Sequence, residues 1–575
     1  PTAADSRLLR SQTALPIRVT QTLKPVRLSE PKPGVFIFDL GQAFAGWAQL
    51  RVRGPAGTRV TLRYGERLDA EGMLTRGEIE TLVYQGPFQT DVYILKGQGL
   101  EVWEPRFTYH GFRYVEVTGF PGRPTLDSLR GRVVHTDFAP AGTFACSNDL
   151  LNRIQRLTLW AYRSNFVGYP TDCPQREKNG WTGDAHLAAE QGLFNWHSAA
   201  AYARWMNDFK DEQRPNGELP GIVPTSGWGY GIGPAWDSAY VLIPWYLYVY
   251  CGDTRVLAEH YPGMKRYVDY LTTRAKDHLV DYGLGDWVPA KTETPVAVTS
   301  TAYYYVDALT VARAARLLGK HAEAEQYAAL AAQIRQAFRQ AFVREDGGVA
   351  NNSQTALSGA LFQGMVDPDE RERVLGKLVA DIERQEDHLD TGILGAKYLF
   401  HALTEGGRAD LAYRVATQTT FPSYGYWIRQ GATTLWEDWR GAASRNHVMF
   451  GDISAWFYKA LAGINPDPAA PGFQHVILRP HPVGDLRFVR ATYRSPYGTI
   501  VSDWRREGGR FRWRVRVPPN STATAYMPCA RPEVITEGGK PAARAEGVRL
   551  VRVEAGATIF TLQSGHYTFA CPADR

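Results

Sequence analysis

The hydrophobic period of this chain changes twice, and that change constrains the fold more than any other feature. Residues 17–140 alternate with a period of two. Arg59–Tyr64 (RVTLRY) sets Val60, Leu62 and Tyr64 against polar neighbours, and Phe112–Val117 (FRYVEV) does the same, with Gly54-Pro55 and Pro121-Gly122 as turn signals. This is the pattern of a half-buried antiparallel sheet, here a sandwich. At Ser147, a candidate N-cap, the period becomes helical: Leu150, Leu151, Ile154 and Leu157 follow. Amphipathic helix then dominates to about Ile464. About twelve segments are expected, starting near residues 148, 184, 197, 236, 255, 299, 322, 352, 368, 391, 407 and 451, with Gly227–Pro234 and Phe421–Gly431 among the loops. After Pro466-Asp467-Pro468 the period of two returns, strictly so in Arg510–Val517 (RFRWRVRV).

The expected layout is an N-terminal β-sandwich over 1–140, an all-α segment over 141–465 and a C-terminal β-sandwich over 466–575. Twelve helices in one segment suggest six antiparallel hairpins closed into an (α/α)6 barrel. An open helical solenoid is the alternative, and the lack of a self-similar period of about 30–50 residues argues against it.

With 575 residues, of which 44% are hydrophobic and 22% charged, the chain can bury a large core, which excludes disorder and collagen-like or disulfide-scaffold classes. Aromatics reach 12%, with 16 Trp and 30 Tyr, an excess that suits stacking on sugars or bases. Net charge is only +6 and the basic residues are scattered, so a nucleic-acid partner is not expected. Cys146, Cys173, Cys251, Cys529 and Cys571 are widely spaced without a CxxC, which argues against zinc or a disulfide framework. No run of 18 apolar residues exists, so no membrane span is expected. The sequence begins at Pro1 without a leader-like apolar stretch; a leader removed earlier leaves the compartment open between cytoplasm and periplasm or secretion.

Two stretches concentrate chemistry. Tyr169–Asp184 (YPTDCPQREKNGWTGD) holds Asp172, Arg176, Glu177, Trp181 and Asp184 between two helices, with prolines and glycines that oppose a continuous helix. A long loop this rich in charge is expected to be functional; a salt-bridged surface loop is the alternative. Gly431–Trp439 (GATTLWEDW) sets Glu437 between Trp436 and Trp439. Indoles desolvate a carboxylate and can raise its pKa, which suits acid–base work; a capping Glu beside a hydrophobic anchor is the alternative. Two carboxylates on loops of a helical domain fit glycoside hydrolysis, where one acid protonates the leaving oxygen and a second carboxylate activates water or attacks the sugar. Trp228, Tyr230, Trp236, Trp287, Tyr424 and Trp427 are candidate sugar platforms. P-loop, dinucleotide-binding, GxSxG and HExxH motifs are absent, and His186 and His197 lack metal spacing.

DCPQREKNGWTGD at 172–184 resembles the acid-loop signature of the glycoside hydrolase family 78 α-L-rhamnosidases. FDLGQAFAGWAQLRV at 38–52 and FTYHGFRYVEV at 107–117 resemble the family's β-domain. AWDSAYVLIPW at 235–245, GDWVP at 285–289, TGILGAKYL at 391–399 and GATTLWEDW at 431–439 resemble its barrel segments, in the same order. The resemblance implies an inverting hydrolase of terminal α-L-rhamnosides, needing no metal or other cofactor. It implies Glu177 as general acid and Glu437 as general base. Asp172, Arg176, Trp181, Asp184, Trp236, Trp287 and His447 fall at sugar-pocket positions. Glu177 is the sole carboxylate between Asp172 and Asp184. Many members carry further β-domains upstream, so the chain reads as a compact member or a fragment. The expected partner is a rhamnoside, from a plant glycoside or an oligosaccharide, with a homodimer left open. The rival readings are another inverting (α/α)6 glycosidase acting on glucosides or uronides, and a rhamnose-binding relative without turnover.

Overall fold

A computed structural model describes residues 11–80, 86–554 and 556–573. The first part is an antiparallel sheet threaded by one long strand, Val35–Val52. Its first half pairs with Arg27–Lys32 on one side and His110–Thr118 on the other. The register then shifts between Asp39 and Phe44, around Gly41 at φ 73°. Beyond that bulge the strand keeps His110–Phe112 for three residues and adds Leu129–Thr136 and Glu101–Trp103. One strand therefore serves two sets of neighbours, as a bulge that bends it allows. Phe36, Phe38, Phe44, Leu50, Leu62 and Val115 build a core that belongs to this sheet.

The helices are α1 (Asp149–Ser164), α2 (Thr182–Asn195), α3 (Ala199–Glu212), α4 (Pro234–Asp237), α5 (Ala239–Cys251), α6 (Thr254–Arg274) and α7 (Val296–Leu317). After them come α8 (His321–Phe342), α9 (Gln354–Phe362), α10 (Arg371–Arg384), α11 (Ile393–Glu405), α12 (Ala409–Ala416), α13 (Tyr424–Arg429) and α14 (Ile453–Trp456), the last continuing as a π-helical turn, Phe457–Leu461. Apart from α13, every helix begins within three residues of an expected start. α13 lies in a stretch read as loop, and the helix expected near 236 is broken at Ser238 into α4 and α5. The cap of α1 is Asn148, whose side chain accepts from Leu151 N, rather than Ser147. The Ser147 hydroxyl instead accepts from Arg487 N at 2.8 Å.

Burial sorts the helices into two kinds. α2 is buried at every position, α11 at all but its last two, Thr404 and Glu405, and α9 at all but its last. α8 buries only Ala324, Tyr327, Ala331, Ile334 and Phe338, and α10 only Val374, Leu378 and Ile382, single stripes at helical spacing. A helix apolar all round sits inside, whereas a striped one covers it. The contacts agree: α2, α5, α7, α9, α11 and α14 each touch the next, and α14 touches α2. Inside this circuit Lys397 of α11 pairs with Glu190 of α2 at 2.8 Å and with Asp452 at 2.7 Å, so the buried charges are mutually satisfied.

The last part holds a seven-stranded and a five-stranded sheet. The edge strand of the larger one is Gly142–Cys146, from ahead of α1, paired with Phe488–Ser495. These sheets share one continuous core with the helices. Trp504 Nε1 donates to Leu461 O at 2.8 Å and Ser502 Oγ to Ala462 O at 2.6 Å. Among the described residues no helix is long and apolar enough to cross a membrane.

Candidate active site

The two chemistry-bearing loops each run into an inner helix: 165–181 into α2, and 430–452 into α14. Because α2 and α14 adjoin in the circuit, the loops meet at one end of it. They enclose a cavity of about 170 Å³ lined by Asp172, Glu177, Trp181, Asp184, Trp236, Leu284, Trp287, Glu437, His447 and Met449. That is smaller than the roughly 300–1,000 Å³ of drug-sized pockets and suits a single sugar ring. Of the catalytic and pocket residues that the family resemblance implies, all line it except Arg176, which lies behind the wall between the two glutamates; of the further candidate platforms, Trp228, Tyr230, Tyr424 and Trp427 do not line it.

The first loop closes on itself through Asp172, which takes Asn179 N on Oδ1 at 3.0 Å while Asp172 N donates to Asn179 O. The turn between them contains Lys178 at φ 54°, a left-handed conformation that favours glycine and is found where a loop must aim a side chain. Its Nζ is tied to Tyr109 O at 2.6 Å. Glu177 is thereby directed inward, accepting from Trp181 Nε1 at 2.8 Å and Arg176 Nη2 at 2.8 Å.

The same Arg176 nitrogen donates to both oxygens of Glu437, at 3.1 and 2.9 Å. One guanidinium nitrogen thus bridges both glutamates and holds their nearest oxygens within about 6 Å of each other. Glu437 also accepts from Ser444 N at 3.0 Å and lies 3.8 Å from His447 Nδ1. His447 Nε2 is 3.2 Å from Asp184 Oδ1.

Burial pulls the Glu437 pKa up, but His447, Arg176 and the Ser444 N–H outweigh it and leave the carboxyl below its ordinary value. This corrects the expectation that neighbouring indoles would raise it. Trp439 stacks on Trp427 instead, and Trp436 lies against the Arg445 guanidinium. His447 runs the other way: burial pulls it down, but Glu437, Asp184 and Asp172 push it up to about 9. Burial, with the Glu177 and Asp184 charges, pushes Asp172 up to about 8. At neutral pH the cavity therefore holds an ionised Glu437, a protonated His447 and a largely neutral Asp172.

Asp172, Cys173 and His447 bring their ligand atoms within 4.8 Å of one another, the geometry of a cation site. Burial pushes the Cys173 thiol well above its ordinary value and His447 is held protonated, so a cation binding there would have to displace both protons.

The aromatic walls are fixed from behind. Trp236 packs on Gly183 of α2 so closely that a Cβ there would meet the indole at 2.6 Å. Trp287 is placed by Asp286, which accepts from Thr355 Oγ1 and from the amides of Gly392, Leu394 and Gly395 at the start of α11. A carboxylate on a helix N-terminus is a strong anchor. Trp228 stands at the rim, edge-on to Trp181. Tyr230 is occupied by Glu212 O and the Arg214 guanidinium, while Tyr424 and Trp427 are core residues. His186 gives Nε2 to Ala235 O. Leu284 and Met449 carried no signal in the sequence, because an apolar residue in a cavity wall looks like any other core residue.

Fold and site define a class: a helical domain, flanked by sheets, whose loops gather paired carboxylates and indoles around a sugar-sized cavity. Residues 139–461 match the model described as the bacterial alpha-L-rhamnosidase 6 hairpin glycosidase domain. Residues 29–135 match that family's concanavalin-like domain and 463–541 its C-terminal domain. The chain belongs to the bacterial α-L-rhamnosidase family. It is 39% identical over 570 residues to an alpha-L-rhamnosidase of Streptomyces avermitilis, covering 96% of this chain and 53% of that protein. The structure of a Streptomyces avermitilis alpha-L-rhamnosidase complexed with L-rhamnose superposes with a TM-score of 0.92 at 38% identity, over 97% of this chain and 54% of that one. The alpha-L-rhamnosidase from Dictyoglumus thermophilum also gives 0.92, at 40% identity, over 97% and 64%. The chain thus spans 53–64% of the length of the curated relatives it matches.

Proposed function

We propose that this chain is an inverting α-L-rhamnosidase releasing terminal non-reducing rhamnose, with Glu177 as general acid and Glu437 as general base. The observation that carries this reading is the Arg176 bridge, which holds two glutamates some 260 positions apart in sequence on one cavity. Glu437 is kept ionised, as a base requires. When Glu177 gives its proton to the glycosidic oxygen, the Trp181 and Arg176 N–H groups stand ready to stabilise the carboxylate left behind. Asp172, Asp184 and His447 bind ring hydroxyls; Arg176, expected from the sequence to do so as well, instead holds the two glutamates from behind the wall, and Trp181, Trp236 and Trp287 supply the apolar wall for the 6-deoxy methyl. A hydroxyl in place of that methyl would be buried without a partner, at about 1–3 kcal/mol. The relatives' names and the rhamnose complex of the Streptomyces avermitilis protein support the substrate class.

The architecture belongs to the same reading. The inner circuit α2–α5–α7–α9–α11–α14 supports an (α/α)6 barrel, with the remaining long helices outside it. The domains run over 1–140, 141–465 and 466–575, the outer two being β-sandwiches, with residues 1–10 and 574–575 outside the described residues. The deciding experiment offers p-nitrophenyl glycosides of L-rhamnose, D-glucose and D-glucuronic acid and reads the first-formed anomer by NMR. Rhamnose released first as the β-anomer is expected. Release of the α-anomer first would make the mechanism retaining. Cleavage of the glucoside or glucuronide alone, or rhamnose binding without product, would overturn the reading.

A further inference from the structure

The loop that carries Glu437 is held from outside the helical segment. Gln42 Nε2 donates to Thr433 O at 2.7 Å, and Thr433 Oγ1 accepts from Ala43 N at 2.9 Å. Arg67 Nη2 reaches Ala442 O and Ala443 O. Glu66 Oε2 accepts from Arg445 N at 2.9 Å. All four residues come from the N-terminal sheet or the turn after its strand Arg59–Gly65.

The Glu66 bond differs from the others in where it leads. The residue before Arg445 is Ser444, whose N–H is aimed at Glu437 Oε2 and whose carbonyl accepts from Glu437 N at 2.9 Å. Gln175, from the loop that carries Glu177, donates to Ser444 Oγ at 2.6 Å and to the same Glu66 oxygen at 3.3 Å. One oxygen of Glu66 therefore holds both catalytic loops together, while Oε1 is buried without a hydrogen bond among the described residues.

A brace between domains needs no carboxyl. Burying one is unfavourable, and apolar packing would join the two surfaces without that penalty. Burial pushes the Glu66 carboxyl up to about 7, against the Arg445 amide, the Arg67 and Arg445 guanidiniums and His447. What the geometry uses is its accepting oxygen, Oε2, which takes both the Arg445 amide and the Gln175 side chain. We propose that Glu66 is a positioning residue for the general base: by fixing the Arg445 amide it sets the Ser444 N–H that aims Glu437, which makes the N-terminal sheet a working part of the active site.

This inference rests on the acid–base reading above, so its test includes a measurement independent of turnover. In Glu66→Ala, hydrogen exchange at the Ser444 and Arg445 amides is expected to accelerate at least about tenfold. A misplaced base can cost up to about 10²-fold in rate, so kcat is expected to fall about 30-fold with KM within about threefold. The loss should be the same for activated and poor leaving groups, because a good leaving group bypasses the acid and not the base. Glu66→Gln, which keeps an accepting oxygen, should stay within about threefold of the parent. If Glu66→Ala does not fold, Glu66→Asp, which withdraws the oxygen by one methylene, is read the same way. Unchanged exchange, a loss explained by the unfolded fraction, or a loss confined to poor leaving groups would overturn the proposal. Should the parent cleave no rhamnoside, the acid–base reading falls while the exchange data still judge the positioning.

Discussion

At the scale of single residues the cavity is defined by how few cations serve many carboxyls. Asp172, Glu177, Asp184 and Glu437 share Arg176 and His447, and burial makes each unpaired negative charge unfavourable. The molecule responds by holding a proton on Asp172 and another on His447. Both raised pKa values act on stability with the same sign. Between pH 4 and pH 8, approximately, the folded chain keeps a proton on Asp172 that the unfolded chain releases, and between about 6.5 and 9 the same holds for His447. Their stabilising contributions are fully present below the unfolded values and are lost as pH rises through the folded ones. In Asp172→Asn the first contribution disappears. The Tm of that variant relative to the parent is therefore expected to climb from pH 5 to pH 8; a difference that stays flat would show that Asp172 is ionised throughout. The identities of these residues could be read from the sequence because the loop is dense in charge. Their protonation states could not, since those follow from which groups face each other after folding. Glu437 is the instructive case: its sequence neighbours are indoles, but its electrostatic neighbours are Arg176 and His447.

At the scale of elements, what the sequence discloses is periodicity and what it conceals is close approach. The stripes of α8 and α10 and the largely apolar run of α11 follow from residue order, so every helix but α13 was legible to within a turn. The cap of α1 moved by one residue because Ser147 and Asn148 are both good caps, and the tertiary bond of Ser147 to Arg487 decided between them. Contact between α2 and the Trp236 indole left no mark beyond a glycine at 183. Substituting Gly183→Ala should press the indole into the cavity at a cost of about 1–3 kcal/mol. With Trp236 as the sugar's apolar wall, KM for an aryl rhamnoside is expected to rise about tenfold with a smaller change in kcat. A lower Tm with unchanged KM would mean that Trp236 does not touch substrate.

At the scale of the whole molecule, the site exists because the helical circuit closes. Glu177 precedes the first inner helix and Glu437 the last, and the contact of α14 with α2 brings them to the same end of the circuit. The order of β, α and β regions was legible from the change of period. The strand Gly142–Cys146, which leaves the N-terminal region to join the C-terminal sheet, was not, because pairing partners are chosen by tertiary context rather than by local pattern. Nor was the reach of Glu66 into both loops, since a lone glutamate after a strand looks like a surface residue. The most direct test of the acid–base pair is a leaving-group series of aryl rhamnosides on purified, folded Glu177→Gln and Glu437→Gln. General acid catalysis is worth about 10²–10⁴-fold. Glu177→Gln should therefore lose at least about 10²-fold on poor leaving groups and regain most of it on a dinitrophenyl rhamnoside, whereas Glu437→Gln should be slow on both. Near-parental rates for Glu177→Gln on a flavonoid rhamnoside, or equal losses for it across the series, would contradict the assignment.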